Sequence, residues 1–279
     1  MDYSEKLVGA IRESESALCV GLDPNPELIP EELHHKYPDS ADLIEAFTLE
    51  VMEATAPFCC AYKPNIAFFE ALGSRGIAVF EKILRAAPSD KIVIADAKRG
   101  DIGSTADQYK KAFFDHFEVD AITLNPLMGL DTFEAWMNEP SRAVYSLALT
   151  SNPGSADLLQ REMKNGLSFA AYITRLLREK SRTAGTHIGL VIGATHPESL
   201  EHILNEFPEA SLLIPGVGSQ GGSLDELLPV IANHRGIPLI TSSRSILYGD
   251  RRSKQWKSQI AERAQVMAGK LEPISRKYR

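Results

Sequence analysis

The sequence Lys91-Ile-Val-Ile-Ala-Asp96-Ala-Lys98-Arg-Gly-Asp101 joins an apolar run directly to a series of alternating charges. The apolar run predicts a strand that is buried on both faces, as in a parallel sheet. Side chains two apart on a strand point to the same side, so we expect Asp96 and Lys98 to be neighbours. A lysine beside carboxylates keeps its proton and can deliver it to one chosen atom. A single Asp-x-Lys is more often a structural ion pair, so the rest of the chain must decide between the two interpretations.

Seven further apolar runs alternate with helical patterns along the chain. The predicted strands are Ala17–Leu22, Phe58–Tyr62, Lys91–Ala95, Ala121–Leu124, Ala143–Leu149, His187–Ile192, Ser211–Ile214 and Pro238–Thr241. The predicted helices are Ser4–Ser14, Ser40–Thr55, Ile66–Ala87 with a break near Gly73 to Gly76, Ser104–Phe117, Asp131–Asn138, Ala156–Lys180, Pro197–Asn205, Leu224–Asn233 and Ser253–Leu271. Between them, Asp23–Pro38 is expected to be a long loop, and the residues after Glu272 a solvated end.

Eight β/α units without a break in composition predict a single domain over residues 1–279. The fold class is α/β, closed as a single (β/α)8 TIM barrel, because such barrels commonly have this length. An open doubly wound sheet is the alternative. No Gly-x-Gly-x-x-Gly turn follows the first predicted strand, which disfavours that alternative.

The bulk composition excludes several classes of protein. The 279 residues are 44% hydrophobic with a net charge of −7, which disfavours a general nucleic-acid binder. The three cysteines, Cys19, Cys59 and Cys60, lie in apolar runs without metal-ligand spacing. They favour reduced core residues of a cytoplasmic protein over a catalytic thiol. The polar N-terminus is not typical of a signal peptide, and no apolar stretch approaches the ~18 residues that span a bilayer.

Charged and polar residues concentrate where the predicted strands end. Asp23, Lys63 and Asp96 with Lys98 follow the first three strands, and Asp101 comes just beyond. Later strands end in Thr150-Ser151-Asn-Pro-Gly154, Pro215-Gly-Val-Gly-Ser-Gln220-Gly-Gly222 and Ser242-Ser-Arg244. Because a barrel enzyme builds its active site from the carboxyl ends of its strands, this clustering predicts one site.

The glycine-rich segment after the seventh strand predicts a phosphate site. Glycines at 216, 218, 221 and 222 let the backbone approach a ligand and offer N–H groups to an anion. Gln220 and Arg244 follow nearby, in the part of a barrel where phosphate sites are common. The glycines alone would be equally consistent with a flexible loop.

Two cations and two carboxylates alternate in the set Lys63, Asp96, Lys98 and Asp101. Such a network favours the charged form of each member, and their titrations would be coupled. It suits a reaction that makes a carbanion and then protonates it. A Schiff base on Lys98 is disfavoured, because neighbouring carboxylates oppose loss of its proton. Metal catalysis is also disfavoured, because the seven histidines form neither His-x-His nor His-Glu-x-x-His.

From Asp23 to Arg244 the chain closely resembles the orotidine 5′-phosphate decarboxylase family. The residues of its motifs are similar to those of the longer bacterial subgroup. The matching segments, in family order, are Val-Gly-Leu-Asp23-Pro, Tyr-Lys63-Pro-Asn65, Asp96-Ala-Lys98-Arg-Gly-Asp101-Ile-Gly-Ser-Thr105, Thr-Ser151-Asn-Pro-Gly, Pro215-Gly-Val-Gly-Ser-Gln220-Gly-Gly and Ser-Arg244-Ser-Ile. Two segments, Pro24–Pro38 and Ser155–Thr186, exceed the compact family pattern.

The resemblance implies an enzyme that converts orotidine 5′-phosphate to UMP and carbon dioxide in pyrimidine biosynthesis, without metal or cofactor. It implies that Lys98 protonates C6 of the pyrimidine and that Asp96 lies against the leaving carboxylate. The other implied roles are ribose binding by Asp23 and Lys63, pyrimidine binding by Ser151, phosphate binding by Gln220 and Arg244, and a substrate contact at Pro215. Asp101 and Thr105 are expected to reach the partner's site in a homodimer, with no nucleic-acid or membrane partner.

Two alternatives remain on the same barrel. The first is a metal-dependent sugar-phosphate decarboxylase or aldolase, resembling 3-keto-L-gulonate 6-phosphate decarboxylase, which has an acidic residue where Lys63 stands. The second is a non-catalytic phosphosugar-binding protein, since a fold alone does not fix an activity. Lys63 argues against the first, and the presence of all four charged residues argues against the second.

Overall fold

The computed structural model describes residues 1–194, 197–217 and 222–278, with the side chains of 197–199 excluded. The strands are β1 Leu18–Leu22, β2 Ala61–Pro64, β3 Ile92–Arg99, β4 Ala121–Leu124, β5 Ala143–Leu149, β6 His187–Ile192, β7 Leu212–Ile214 and β8 Pro238–Ser242. They are hydrogen-bonded in chain order, β1 to β8, as a closed barrel. The predicted (β/α)8 class is confirmed.

The α-helices are α1 Tyr3–Ser14, α2 Glu31–Lys36, α3 Ser40–Thr55, α4 Ala67–Glu70, α5 Gly73–Ala86, α6 Gly103–Lys110, α7 Phe169–Ser181, α8 Pro197–Glu206, α9 Leu224–Ile231, α10 Arg244–Leu247, α11 Trp256–Lys270 and α12 Glu272–Ser275. Shorter 3-10 turns cover Pro26–Leu28, Ala56–Phe58, Leu130–Trp136, Pro153–Asp157 and Arg276–Tyr278, and a π-helical turn covers Lys111–His116. None of the helices within the described ranges is long and apolar enough to cross a membrane.

The chain folds as two compact units. The β1–β3 unit comprises Leu7–Ala97 and Ser242–Arg279. In it, β1 pairs with β2 in parallel, so that Gly21 lies opposite Lys63, and β2 pairs with β3. The β4–β8 unit comprises Met1–Lys6 and Lys98–Thr241, and its strands also pair in parallel and in order.

Strand residues are almost all buried, as expected for a sheet with side chains packed on both faces. The described residues of β1, β2, β4, β7 and β8 are buried throughout. The pattern ends at the carboxyl end of β3, where Lys98 is exposed and Arg99 half-buried. Polar side chains therefore come to the surface at the end of β3, as the sequence predicted.

Helix caps account for several boundaries. Asp39 caps α3 by accepting hydrogen bonds from the backbone of Ala41 and Asp42, so the helix begins at the predicted Ser40. Ser168 caps α7 by accepting from the Ala171 amide. The predicted helix Ala156–Lys180 was therefore wrong in its first half, which instead contains a 3-10 turn and a bridge between Glu162 and Ser168.

Three further boundaries differ from the sequence predictions. Residues 58–60 were expected in a strand, but Pro57 sits in a 3-10 turn and β2 starts only at Ala61. The expected loop Asp23–Pro38 contains the helix α2. The expected solvated tail folds back as α12, where Ser275 is fully buried and accepts a hydrogen bond from the Ala17 amide at 2.9 Å.

Candidate active site

The ends of β2 and β3 hold a buried ion pair. Lys63 Nζ lies 2.6 Å from Asp96 Oδ2, and only 6% and 11% of the two side chains are exposed. The strand register continues one step past β2, because Asn65 bridges to Asp96 and the Ile66 amide donates to the Asp96 carbonyl. The backbone therefore fixes Asp96 opposite the end of β2, where its carboxylate meets the Lys63 ammonium group.

The carboxylates around Lys63 determine its protonation state. Burial by itself would lower the pKa of Lys63, but the charges of Asp96 and Asp23 and the hydrogen bond to Asp96 outweigh it. The net result is a pKa above the ordinary lysine value, so Lys63 is an ammonium group at neutral pH. A desolvated ammonium beside a carboxylate provides a fixed, preorganised dipole.

Asp23, just after β1, presents an unused acceptor. Its Oδ1 is buried and accepts no hydrogen bond from the described parts of the chain. A buried carboxylate oxygen without a donor is costly, and most such atoms in proteins have a partner. Together with its charge interaction with Lys63, this makes Asp23 a candidate to accept hydrogen bonds from ligand hydroxyls.

Arg244 begins α10, directly after β8 and Ser243. Its side chain is exposed, as a residue that meets a phosphate at the surface would require. The preceding Ser243 packs on β1 at Gly21, where an added Cβ would lie 1.7 Å from Ser243 Oγ. Gly21 is therefore required for the segment carrying Arg244 to lie against the end of β1.

In the β4–β8 unit, Lys98 departs from regular strand geometry. Its φ is +46°, in the left-handed region that non-glycine residues rarely adopt. The Lys98 amide donates to Thr123 Oγ1 at 2.9 Å, which ties the backbone to the end of β4. Asp101 is half-buried and its Oδ1 accepts from the Ile102 amide, while Thr105 is exposed on α6.

Two further predicted residues, Ser151 and Pro215, follow β5 and β7. Ser151 is half-buried. A Cβ added to Gly193, directly after β6, would lie 2.6 Å from the backbone nitrogen of Ser151, so the end of β6 packs closely on the segment that follows β5. Pro215 is half-buried directly after β7. Val217 bridges to Gly222. Gln220, Gly218 and Gly221 lie outside the described residues.

The cysteines of the chain are core residues. Cys19, Cys59 and Cys60 are free and buried, as predicted. Burial raises the pKa of Cys59 to about 11 and that of Cys60 as well, which leaves these thiols poor nucleophiles. Within the described ranges, no three His, Cys, Asp or Glu side chains lie close enough to hold a metal ion.

Sequence reasoning missed two residues that shape the site. Thr123 holds the Lys98 backbone, and Tyr248 holds the backbone on either side of Pro24 through its hydroxyl. Neither residue belongs to a charged motif. Only their positions in the sequence could have indicated them, because Thr123 lies next to the end of β4 and Tyr248 comes four residues after Arg244.

A closed barrel of eight parallel strands with acidic and basic side chains at the strand ends defines a (β/α)8-barrel enzyme. Comparison with known sequences identifies the enzyme family. Residues 16–258 match the orotidine 5′-phosphate decarboxylase / HUMPS family, and the chain belongs to this family. It is therefore a carboxy-lyase of pyrimidine biosynthesis.

Individual relatives agree over nearly the whole chain. The chain is 39% identical to an orotidine 5′-phosphate decarboxylase of Roseiflexus sp. (strain RS-1) over 252 residues, which cover 90% of each protein. It is 36% identical over 281 residues to the protein of the same name from Dehalococcoides mccartyi (strain CBDB1), with full coverage of both. The structure of Leishmania donovani OMP decarboxylase superposes with a TM-score of 0.81 at 30% identity, covering 99% of both chains.

Proposed function

We propose that this enzyme decarboxylates orotidine 5′-phosphate to UMP and carbon dioxide without a metal or cofactor. Family membership and the names of the relatives support the substrate. The observation that carries the proposal is the buried Lys63–Asp96 pair beside the unused acceptor of Asp23. A neutral sugar-binding surface would have no need for this desolvated charge, which costs stability unless it is compensated.

In the proposed step the bond between C6 of the pyrimidine and the carboxylate breaks, and its electron pair stays on C6. The Lys98 ammonium then gives its proton to C6, which forms UMP and leaves a neutral amine that solvent reprotonates. Asp96 lies against the departing carboxylate, and Lys63 holds Asp96 in place. Preorganised charge of this kind stabilises the developing carbanion because it needs no reorganisation during the reaction.

The remaining roles concern substrate binding. Asp23 and Lys63 bind the ribose hydroxyls, with Asp23 Oδ1 as the acceptor that ligand hydroxyls complete. Arg244 and Gln220 hold the phosphate, Pro215 contacts the substrate, and Ser151 binds the amide edge of the pyrimidine. The phosphate is remote from the bond that breaks, so its binding energy is available to organise the charged groups rather than only to hold substrate.

We further propose that the functional unit is a homodimer in which Asp101 and Thr105 complete the partner's site. Ile102, which lies between them in the chain, is 53% exposed. Leu127, Met128 and Leu158, in the loops after β4 and β5, are 61%, 56% and 44% exposed. Large apolar side chains exposed in one unit of the protein favour an interface with another copy.

Turnover of orotidine 5′-phosphate, followed by loss of the orotate absorbance in EDTA, tests the reaction. We expect rapid turnover by the parent protein and none detectable by Lys98→Ala. Activity that requires added magnesium, or turnover of sugar phosphates alone, would refute the metal-free decarboxylase. Turnover by neither route in a folded parent would instead favour the non-catalytic alternative.

Mixed dimers test the shared site. Lys98→Ala and Asp101→Asn homodimers are both expected to be nearly inactive. When the two variants are unfolded together and refolded as a mixture, the heterodimer has one site with an intact Lys98 and an Asp101 from the partner. Recovery of about a quarter of the parent activity is then expected, since about half of the dimers are mixed and each has one working site. No recovery would place Asp101 in its own subunit's site.

A further inference from the structure

The hydroxyl of Tyr248 holds the backbone on both sides of Pro24. It donates a hydrogen bond to the carbonyl of Asp23 at 2.5 Å and accepts one from the amide of Asn25 at 2.6 Å. Proline cannot donate a backbone hydrogen bond, so these two contacts take up the groups that flank it. The turn that carries Asp23 out of β1 is therefore fixed by one phenol from a distant part of the chain.

The ring that carries this hydroxyl is itself immobilised. Phe47 of α3 stacks on Tyr248 with ring centroids 6.0 Å apart and an angle of 10° between the planes. Phe47 is fully buried and also packs on Trp256 of α11. Burial raises the pKa of Tyr248, so the phenol keeps the proton that it donates to Asp23. We call the pair of hydrogen bonds from Tyr248 to the backbone of Asp23 and Asn25 the Tyr248 clamp. Its hydroxyl therefore has a fixed position, with the Asp23 carbonyl as its acceptor and the Asn25 amide as its donor.

Tyr248 also connects two residues that the proposed function assigns to the substrate. Its amide donates to the carbonyl of Arg244 at 3.2 Å, which closes α10. The same residue thus contacts the backbone of Asp23 through its side chain and that of Arg244 through its main chain. Asp23 is the proposed ribose ligand and Arg244 the proposed phosphate ligand, two adjacent parts of one nucleotide.

We infer that Tyr248 is a positioning residue that sets the spacing between the ribose-binding Asp23 and the phosphate-binding Arg244. The inference rests on the proposed function for the identity of the ligand, but the clamp itself rests on the hydrogen bonds. A carboxylate that is displaced by about 1 Å from its productive position can cost up to about a hundredfold in rate. Loss of the Tyr248 hydroxyl should therefore act on the reaction through Asp23.

Tyr248→Phe is the appropriate variant, because it keeps the ring on Phe47 and removes only the hydroxyl. Tyr62→Phe is its matched control. Tyr62 is a buried tyrosine of the same unit whose hydroxyl also donates to a backbone carbonyl, that of Met52 at 2.6 Å. The control removes a comparable buried hydrogen bond without touching the Asp23 turn.

We expect kcat/KM for orotidine 5′-phosphate to fall by about tenfold or more in Tyr248→Phe and by less than about twofold in Tyr62→Phe. In an Asp23→Asn background the same Tyr248→Phe change should cost less than about twofold, because the residue through which it acts is already impaired. An equal loss in both backgrounds, or no loss in the parent, would overturn the inference while leaving the decarboxylase proposal intact.

Amide hydrogen exchange provides a readout that does not depend on activity. Exchange at Asn25 should accelerate in Tyr248→Phe and stay unchanged in Tyr62→Phe, because only the first variant loses the acceptor of that amide. If the parent protein failed to turn over orotidine 5′-phosphate, the proposed function would fall, and this exchange would still decide whether Tyr248 clamps the turn. Unchanged exchange at Asn25 would refute the clamp directly.

Discussion

Replacing Lys63 with methionine should destabilise this protein far more than the same change at a surface lysine. Methionine has a similar length and is apolar, so the substitution removes the charge while filling much of the space. The partner Asp96 would then be left as a buried carboxylate, with only 11% of its side chain exposed. A carboxylate in that position has lost hydration and would also lose the ammonium group of Lys63, which offsets part of that loss.

The magnitude follows from the geometry of the pair. Charges 2.6 Å apart attract by roughly 6 kcal/mol at an effective dielectric constant of about 20. Desolvation offsets part of this attraction, yet the raised pKa of Lys63 shows that the carboxylates outweigh it. Breaking a buried pair from one side typically costs about 3–5 kcal/mol, and we expect Lys63→Met to lower the free energy of unfolding by that amount.

A double-mutant cycle in urea isolates the pair. Asp96→Asn removes the second charge with little change of shape, so the double variant should be at least about 2 kcal/mol more stable than the sum of the single effects implies. Lys82 provides the matched control, because it pairs with Glu45 at 2.9 Å with 62% of its side chain exposed. Lys82→Met should change the free energy of unfolding by less than about 1 kcal/mol.

Two results would refute this reasoning. Single effects that add to within about 0.5 kcal/mol would show that Lys63 and Asp96 do not stabilise each other. A Lys63→Met variant as stable as Lys82→Met would show that the pair is solvated rather than buried. In either case the preorganised charge on which the proposed chemistry depends would be absent.

Two other perturbations have defined outcomes. Burial lowers the pKa of His187 from 6.5 to about 4, so the folded state disfavours its protonation, and stability should fall by about 2 kcal/mol between pH 7.5 and pH 5. Urea titrations at both pH values should show a smaller fall in His187→Gln, and an identical fall would exclude His187 as the cause. Gly21→Ala should cost about 1–3 kcal/mol, because its Cβ would lie 1.7 Å from Ser243 Oγ and 2.9 Å from Ser243 Cβ. Adding Ser243→Gly should restore most of the melting temperature, and a double variant no more stable than Gly21→Ala would show that other atoms crowd the site.

The barrel could be predicted from the sequence because its strands are short apolar runs separated by helical patterns. The helix α3 was placed at its observed bounds because Asp39 provides a strong local cap. The structure of residues 155–168 could not be predicted correctly. Their sequence pattern is helical, and it does not reveal that α7 begins only after the cap at Ser168. Ser275 is buried and accepts a hydrogen bond from the Ala17 amide, 258 positions away in the chain, and no local pattern could have indicated this contact.

The candidate site divides in the same way. Asp23, Lys63 and Asp96 could be found because charges after apolar runs are conspicuous, and the structure does bury Lys63 against Asp96. Tyr248 and Thr123 could not, because each acts through a hydroxyl on a distant backbone group. A tyrosine or threonine near a strand end is ordinary in any fold, and only the three-dimensional contacts distinguish these two.

The backbone of Lys98 shows why such contacts matter to the chemistry. A non-glycine residue at φ +46° costs about 1–3 kcal/mol and persists only where its surroundings enforce it. Here the end of β4 and the residue that follows it do so, because Thr123 accepts from the Lys98 amide and the Asn125 amide donates to the carbonyl of Arg99. Gly100 packs so closely on Asn125 that an added Cβ would lie 2.6 Å from its carbonyl oxygen. Lys98, Arg99 and Gly100 are thus held by contacts with Thr123 and Asn125 rather than by their own conformational preferences. A proton donor must reach one atom of its substrate. Lys98 is the residue proposed for that role, and its backbone is held in a conformation that costs stability. This favours the interpretation that the direction of the Lys98 side chain matters more to the protein than the stability it costs.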